Sequence, residues 1–248
     1  MELEKSDLWN VPCLEAEQKL KKKKRGIFQM VKTKSDGISN FRSIKERCPV
    51  EQLVEQHKDV NPFLVRKWEK IFYVFFDRNA SQQVDWGDFY MVLRSKAYVQ
   101  KVREVYGTES VQTEYAKKTM TALWEGLCKQ ADSDQDMLIS IEEWIRLLKV
   151  SAMKNEHKWF HEYEHFMFKL FDVSSDGKID SAEYVDGMSV YGFTKTVSEQ
   201  TFRKLAVDEN GTYTAVITRP MWSRYFSDFF FSADKNSLGN HLFGILEI

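Results

Sequence analysis

The chain has 248 residues, 43% hydrophobic and 14% aromatic, which is enough apolar surface for a sizeable core and excludes a disordered chain. Four prolines and eleven glycines leave little room for a turn-rich all-β architecture, and the longer apolar patterns have helical spacing. The net charge of −1 names no partner by bulk electrostatics, and no specific nucleic acid is expected.

Residues 1–60 read as an arm with 13 Lys or Arg against 10 Asp or Glu. The opening Met1-Glu2-Leu3-Glu4 is wrong for a secretory signal or a mitochondrial presequence, and Glu2 excludes amino-terminal myristoylation. The run Lys21-Lys22-Lys23-Lys24-Arg25 suits an acidic protein surface, such as a filament, or an anionic membrane; it also has the look of an import signal, or of a solvated arm without a partner. Pro49–His57, with Val50, Leu53 and Val54, is expected to form an amphipathic helix docked on the body. Cys13, Cys48 and Cys128 are far apart, without zinc or redox spacing, so reduced thiols are expected. Nowhere do about 18 apolar residues run together, so no membrane-spanning helix is expected. Together these features predict a soluble cytoplasmic protein.

The first long helical pattern, Val65–Phe76, carries Trp68, Phe72, Phe75 and Phe76 as an apolar stripe. An oxygen-rich loop follows it, and the same order of helix, loop and helix recurs twice more. Ca²⁺ is a hard cation that takes six to eight oxygens. A twelve-residue EF-hand loop supplies them from positions 1, 3, 5, 7, 9 and 12, with a sharp turn at position 6. In the first loop, 77–88, those positions hold Asp77, Asn79, Ser81, the carbonyl of Gln83, Asp85 and Asp88, with Val84 at position 8. Gln82 replaces the usual glycine, and Asp88 the usual glutamate. The shorter aspartate tends to offer one oxygen, which favours the smaller, octahedral Mg²⁺. An exiting helix is expected over Trp86–Ala97.

A second entering helix, Tyr115–Ala131, leads to the loop 132–143. Its ligand slots are Asp132, Asp134, Asp136, the carbonyl of Leu138, Ser140 and the bidentate candidate Glu143, with Ile139 at position 8. Met137 stands at position 6, where a left-handed backbone costs a non-glycine residue about 1 kcal/mol or more. Glu142–Ala152 is the expected exiting helix. After it, His157–Phe171 carries His157, His161 and His165 at helical spacing, which reads as a solvated helix face, because no zincin box accompanies it. Every slot matches in the third loop, 172–183: Asp172, Ser174, Asp176, the carbonyl of Lys178, Asp180 (in reach through water) and Glu183, with Gly177 at position 6 and Ile179 at position 8.

EF-hands pair through their position-8 strands, so three call for a fourth. After the exiting helix Ala182–Tyr191 and an entering helix over Glu199–Val207, a step like the last one lands on Ile217 and sets the fourth loop at Asn210–Met221. Its slots hold Asn210, Thr212, Thr214, Thr218 and Met221, with no carboxylate, so this hand is expected to be empty of metal and structural. A last helix, Arg219–Phe231, is strongly aromatic.

These loops, the longer first step from Val84 to Ile139, and the tail Trp222–Gly244 with Tyr225, Phe226, Phe229, Ser232, Asp234, Gly239, Asn240, Leu242 and Phe243 resemble the invertebrate sarcoplasmic calcium-binding proteins and the related calexcitins. The resemblance covers roughly residues 62–244 and leaves 1–60 without a counterpart. It implies an all-α fold of four EF-hands in two pairs, one compact body around an aromatic core, Ca²⁺/Mg²⁺ buffering or signalling, and a fourth hand that is often degenerate. The expected organisation is an arm (1–60), a first EF-hand pair (61–155) and a second pair with an aromatic tail (156–248), as a monomer or part of a larger assembly. A Ca²⁺ buffer or modulator is the first functional reading. A Ca²⁺ sensor or filament-associated scaffold docking through the basic arm is the alternative. No nucleophile–base constellation and no P-loop stands out, so no catalysis is expected.

Overall fold

The structure, a computed structural model, describes residues 48–94, 111–154 and 158–244. These belong to the unit Arg47–Ile248; Lys21–Arg25, Cys13, Ala97 and His157 lie outside the described residues. The helix expected before the first hand is α1 (Val50–Gln56), which buries Leu53. It packs on α2 (Pro62–Ile71), and Glu51 pairs with Arg66 at 3.0 Å. Helix α2 starts earlier than the apolar stripe suggests. Asn61 accepts a hydrogen bond from the Phe63 amide at 2.9 Å, and Pro62 occupies the first turn, where its missing N–H costs nothing.

Each hand is a helix, a loop, a short strand and a second helix. The first continues from α2 through a π-helical turn, Phe72–Phe76, to β1 (Gln83–Val84) and α3 (Trp86–Arg94). The second comprises α4 (Val111–Ala131), β2 (Ile139–Ser140) and α5 (Ile141–Lys154). The third comprises α6 (Lys158–Phe171), β3 (Lys178–Asp180) and α7 (Ser181–Val190). The fourth comprises α8 (Lys195–Leu205), β4 (Val216–Thr218) and α9 (Arg219–Phe231). Helix α8 begins four residues before the expected Glu199, because Thr194 caps it through the Val197 amide at 3.4 Å.

The strands join the hands in pairs. In the first, antiparallel β1–β2 sets Val84 opposite Ile139; in the second, β3–β4 sets Ile179 opposite Ile217. All four side chains are almost wholly buried, so each pairing is fixed by apolar burial as well as by backbone hydrogen bonds.

The core is aromatic, as the periodicity predicts. Trp68, Phe72, Phe75 and Phe76 are all buried, and each such ring contributes about 1.5–3 kcal/mol by leaving water. Three of the buried indoles also find acceptors: Trp68 Nε1 donates to the Phe230 carbonyl (2.6 Å), Trp144 Nε1 to the Trp68 carbonyl (3.1 Å) and Trp159 Nε1 to the Leu123 carbonyl (2.7 Å). These bonds cross between hands, so burial and hydrogen bonding fix the same helix arrangement. A short 3₁₀ turn, Leu238–His241, then returns the tail over α9. Gly239 permits that approach, since a Cβ there would sit 2.6 Å from the Tyr225 carbonyl oxygen. Phe243, which follows, packs against Phe75 of the first hand, Phe171 and Tyr191 of the third, and Trp222 and Phe229 of the fourth.

One buried charge has no counterpart in the apolar pattern. Lys67 is fully buried on α2, and its ammonium donates to the carbonyls of Asp228 (2.9 Å) and Ser232 (2.6 Å) and to Asn240 Oδ1 (3.0 Å). It ties the first hand to the end of α9 and to the tail. Burial pulls its pKa down to about 8, and the Asp228 carboxylate opposes that fall.

Candidate metal loops

The three expected loops share one local design. The position-1 carboxylate closes each loop by accepting the backbone amides of positions 5 and 6. Asp77 accepts Ser81 N (2.8 Å) and Gln82 N (2.9 Å); Asp132 accepts Asp136 N (3.2 Å) and Met137 N (2.9 Å); Asp172 accepts Asp176 N (3.1 Å) and Gly177 N (3.0 Å). The turn at position 6 is left-handed in all three: φ is +67° at Gln82, +64° at Met137 and +83° at Gly177. The two loops that lack glycine therefore keep the turn and bear its strain. Position 4 is left-handed as well, at Ala80, Gln135 and Ser175. Sequence reasoning missed this, because none of the three residue types announces such a backbone.

Positions 3 and 5 point into the same turn. Asn79 Oδ1 accepts Ser81 N at 2.9 Å, and Asp134 Oδ1 accepts Asp136 N at 3.3 Å. Asp136 and Asp176 accept the amides of Leu138 and Lys178, both at 2.8 Å, while the Ser81 hydroxyl donates to the Gln83 carbonyl at 2.7 Å. Gln83 and Lys178 thus lie at the start of β1 and β3, and Leu138 just before β2. Position 9 caps the exiting helix. Asp85, Ser140 and Asp180 accept the amides of Asp88 (3.0 Å), Glu143 (3.3 Å) and Glu183 (2.8 Å).

The position-12 carboxylates straddle their loops. Asp88 accepts Asn79 N (3.0 Å) and Asp85 N (3.2 Å), and Glu183 accepts Ser174 N (2.8 Å) and Asp180 N (3.1 Å). Glu143 accepts Ser133 N (2.8 Å) and Ser140 N (3.0 Å). Even the short Asp88 therefore spans the loop. Burial, with the Asp85 and Asp77 carboxylates beside it, pushes its pKa up to about 6. Burial also acts to raise Glu143, but its hydrogen bonds from Ser140 and Ser133 prevail and hold it below the usual carboxylate range. In the second loop Asp132, Asp134 and Asp136 bring ligand oxygens within 4.8 Å of one another. Partial burial, with Asp134 and Asp132 as neighbours, raises the Asp136 pKa. Crowded like charges of this kind are relieved by a hard dication, so the donor set fits Ca²⁺.

The loops differ in how their entering helices meet them. The Asp132 and Asp172 amides bond to Cys128 O (2.9 Å) and Phe168 O (2.8 Å) in ordinary α-helical steps, whereas the Asp77 amide reaches back to Phe72 O (2.8 Å), a π-helical step. The fourth loop keeps the frame without the ligands. Ala215 at position 6 has φ +61°, and Thr218 at position 9 accepts the Met221 amide at 3.5 Å. However, ten residues, 206–215, separate α8 from β4, where six, 172–177, separate α6 from β3. The carboxylate of Asp208 accepts the amides of Asn210 (2.9 Å) and Thr212 (2.8 Å) within that longer loop. Of the histidine row, His165 Nδ1 lies 3.2 Å from Arg219, which also makes a two-pronged ion pair with Glu164.

No protein-family model matches the chain. It is 57% identical over 198 residues to Calexcitin-1 of Caenorhabditis elegans, a match spanning 80% of this chain and 94% of that protein. The chain belongs to the calexcitin family. It is also 26% identical over 134 residues to sarcoplasmic calcium-binding proteins I, III and IV of Branchiostoma lanceolatum, across 50% of this chain and 68% of theirs. Among solved structures, a sarcoplasmic calcium-binding protein from amphioxus superposes with a TM-score of 0.60 at 19% identity, covering 75% of this chain and 99% of that one. That likeness shows the shared EF-hand fold.

Proposed function

We propose that this protein binds Ca²⁺ through the loops 77–88, 132–143 and 172–183 and acts as an intracellular Ca²⁺ buffer or signal modulator. The observation that carries the reading is the left-handed turn at position 6 in all three loops, kept even where Gln82 and Met137 must bear it. In each loop the position-1 and position-12 carboxylates are both held by backbone amides of that same loop, and in the second loop Asp132, Asp134 and Asp136 gather within 4.8 Å of one another. Ca²⁺ would supply the positive charge that such carboxylates lack. The fourth hand serves as the structural partner of the third, through Ile217.

Calcium-binding relatives support the same reading. A buffer rather than a groove-exposing sensor is favoured by the tail, because Leu242 and Phe243 already fill apolar space between hands. Two buried polar side chains outside the loops are engaged in structure: Tyr184 donates to the Leu242 carbonyl at 2.8 Å, and Glu164 is paired with Arg219. Free thiols at Cys48 and Cys128 suit a cytoplasmic protein. Lys21–Arg25 is reserved for an acidic protein surface or an anionic membrane. A calorimetric Ca²⁺ titration with and without millimolar Mg²⁺ tests the proposal. Two or three tight sites weakened by Mg²⁺ are expected, and sites of micromolar affinity indifferent to Mg²⁺ would instead make the protein a sensor.

A further inference from the structure

The position-12 carboxylates are not held alike. Asp88 and Glu183 each accept two backbone amides. Glu143 accepts two backbone amides and, in addition, two hydroxyls: Ser133 Oγ at 2.8 Å on Oε1 and Ser140 Oγ at 2.9 Å on Oε2. Behind Ser133 stands Arg146, one turn along α5 from Glu143, whose Nη1 donates to Ser133 Oγ at 3.2 Å. The guanidinium occupies the hydroxyl's lone pair and polarises its O–H toward the carboxylate, a chain in which each bond strengthens the next. The corresponding position-2 residues of the other loops, Arg78 and Val173, offer no hydroxyl. The three aspartates of the second loop gather within 4.8 Å of one another in a group that does not include Glu143.

We infer that Ser133 and Arg146 are positioning residues that latch Glu143 in its loop-capping place and so set the Ca²⁺ affinity of the second site. The inference rests on reading loop 132–143 as a Ca²⁺ site. Ser133 is not a ligand position, so its effect is exerted through Glu143. To chelate Ca²⁺, both Glu143 oxygens turn to the ion and the Ser133 hydroxyl bond is given up, in competition with metal binding. The bond from the position-9 amide is common to all three loops, but Glu143 takes its other amide from position 2, Ser133, where Asp88 and Glu183 take theirs from position 3, Asn79 and Ser174; Ser133→Ala leaves that amide in place and removes only the hydroxyl. Mg²⁺, with six ligands at shorter distances, has less room for a two-oxygen carboxylate, so it draws on this latch less than Ca²⁺ does. The latch therefore lowers Ca²⁺ affinity selectively and places the second site after the third in the order of filling.

The test uses the full chain with Asp88→Asn and Glu183→Gln, which leaves the second loop as the carboxylate-complete site. In that background Ser133→Ala should raise Ca²⁺ affinity about threefold, the size of a modest, partly exposed hydrogen bond. Mg²⁺ affinity should stay fixed, Arg146→Met should give part of the gain, and Ser133→Thr should restore the parent behaviour. Unchanged or weaker Ca²⁺ binding in Ser133→Ala, or equal gains for both ions, overturns the latch while leaving the site intact. Failure of the parent to bind Ca²⁺ at this loop overturns the site reading, and the latch with it. If the background variant does not fold, Ser133→Ala in the otherwise unchanged chain, followed through the Met137 amide resonance during titration, reads the same loop directly.

Discussion

The third and fourth hands are built on one frame and differ in the side chains that frame carries. Ile179 and Ile217 face each other across β3–β4, both fully buried. Both loops turn through a left-handed position 6, and both cap their exiting helix from position 9, by Asp180 in one and Thr218 in the other. They part at the ligands. Asp172 closes the third loop and Glu183 straddles it, whereas Met221 stands at position 12 of the fourth, and the carboxylate of Asp208 holds its own longer loop together. The frame comes from strand pairing and apolar burial, the candidate metal site from carboxylates on a loop of the right length. One can be lost without the other.

The sharpest way to break the comparison is to take the ligand from the third hand. Glu183→Gln keeps the shape and removes the charge, so the third loop should lose about a hundredfold in Ca²⁺ affinity, roughly 2.7 kcal/mol. Calorimetric titration reads this directly, and a wild-type curve would remove Glu183 from the ligand set.

Taking the frame from the fourth hand should also cost the third. Ile217→Ala leaves a cavity between the strands and should destabilise the metal-free protein by about 3 kcal/mol in denaturant unfolding. It should weaken the third site as well, although Ile217 touches no ion. Intact Ca²⁺ binding in this variant would mean the third loop holds its shape without its partner.

Lys67 links the fourth hand's helix α9 to the first hand. Its folded pKa, about 8, lies below the ordinary lysine value of 10.5, so the native state releases this proton before the unfolded chain does. Stability from this group therefore rises with pH between about 8 and 10.5 and carries its full penalty below 8. Relative to Lys67→Met, the wild type should gain about 2 kcal/mol between pH 8 and pH 10, measured by unfolding at each pH. A gap independent of pH would mean the amine keeps its proton throughout.

The smallest expected effect is a refusal to change. Met221→Glu restores a carboxylate at position 12, yet the fourth loop keeps its four additional residues and its bonded Asp208. No tight site should be added to the calorimetric stoichiometry. A new one would show that position 12 alone separates the two hands.

Much of the candidate site was legible because EF-hand ligand positions lie within twelve residues, where spacing alone names the oxygens; of the carboxylates so named, Asp132, Asp134 and Asp136 come within 4.8 Å of one another. The same spacing located Ile217 and hence the fourth hand, without any carboxylate to mark it. The left-handed position 4 was not legible, since Ala80, Gln135 and Ser175 adopt it under constraint from the turns around them. The Ser133 hydroxyl on Glu143 was not legible either, because Ser133 and Arg146 are not ligand positions and meet only when α5 folds beside the loop.

The sequence by itself determined the loops, the residue each loop offers to strand pairing and the aromatic faces of the helices, because each is set by neighbours a few residues apart. Only the tertiary structure decided the π-helical turn before Asp77, the burial of Lys67 against α9 and the tail, and the wedging of Phe243 among three hands. The last two join residues far apart in the chain, Lys67 with Asn240 and Phe75 with Phe243. No local period encodes such a meeting; it is fixed by the packing of the whole core and by the need of each buried polar group for a partner.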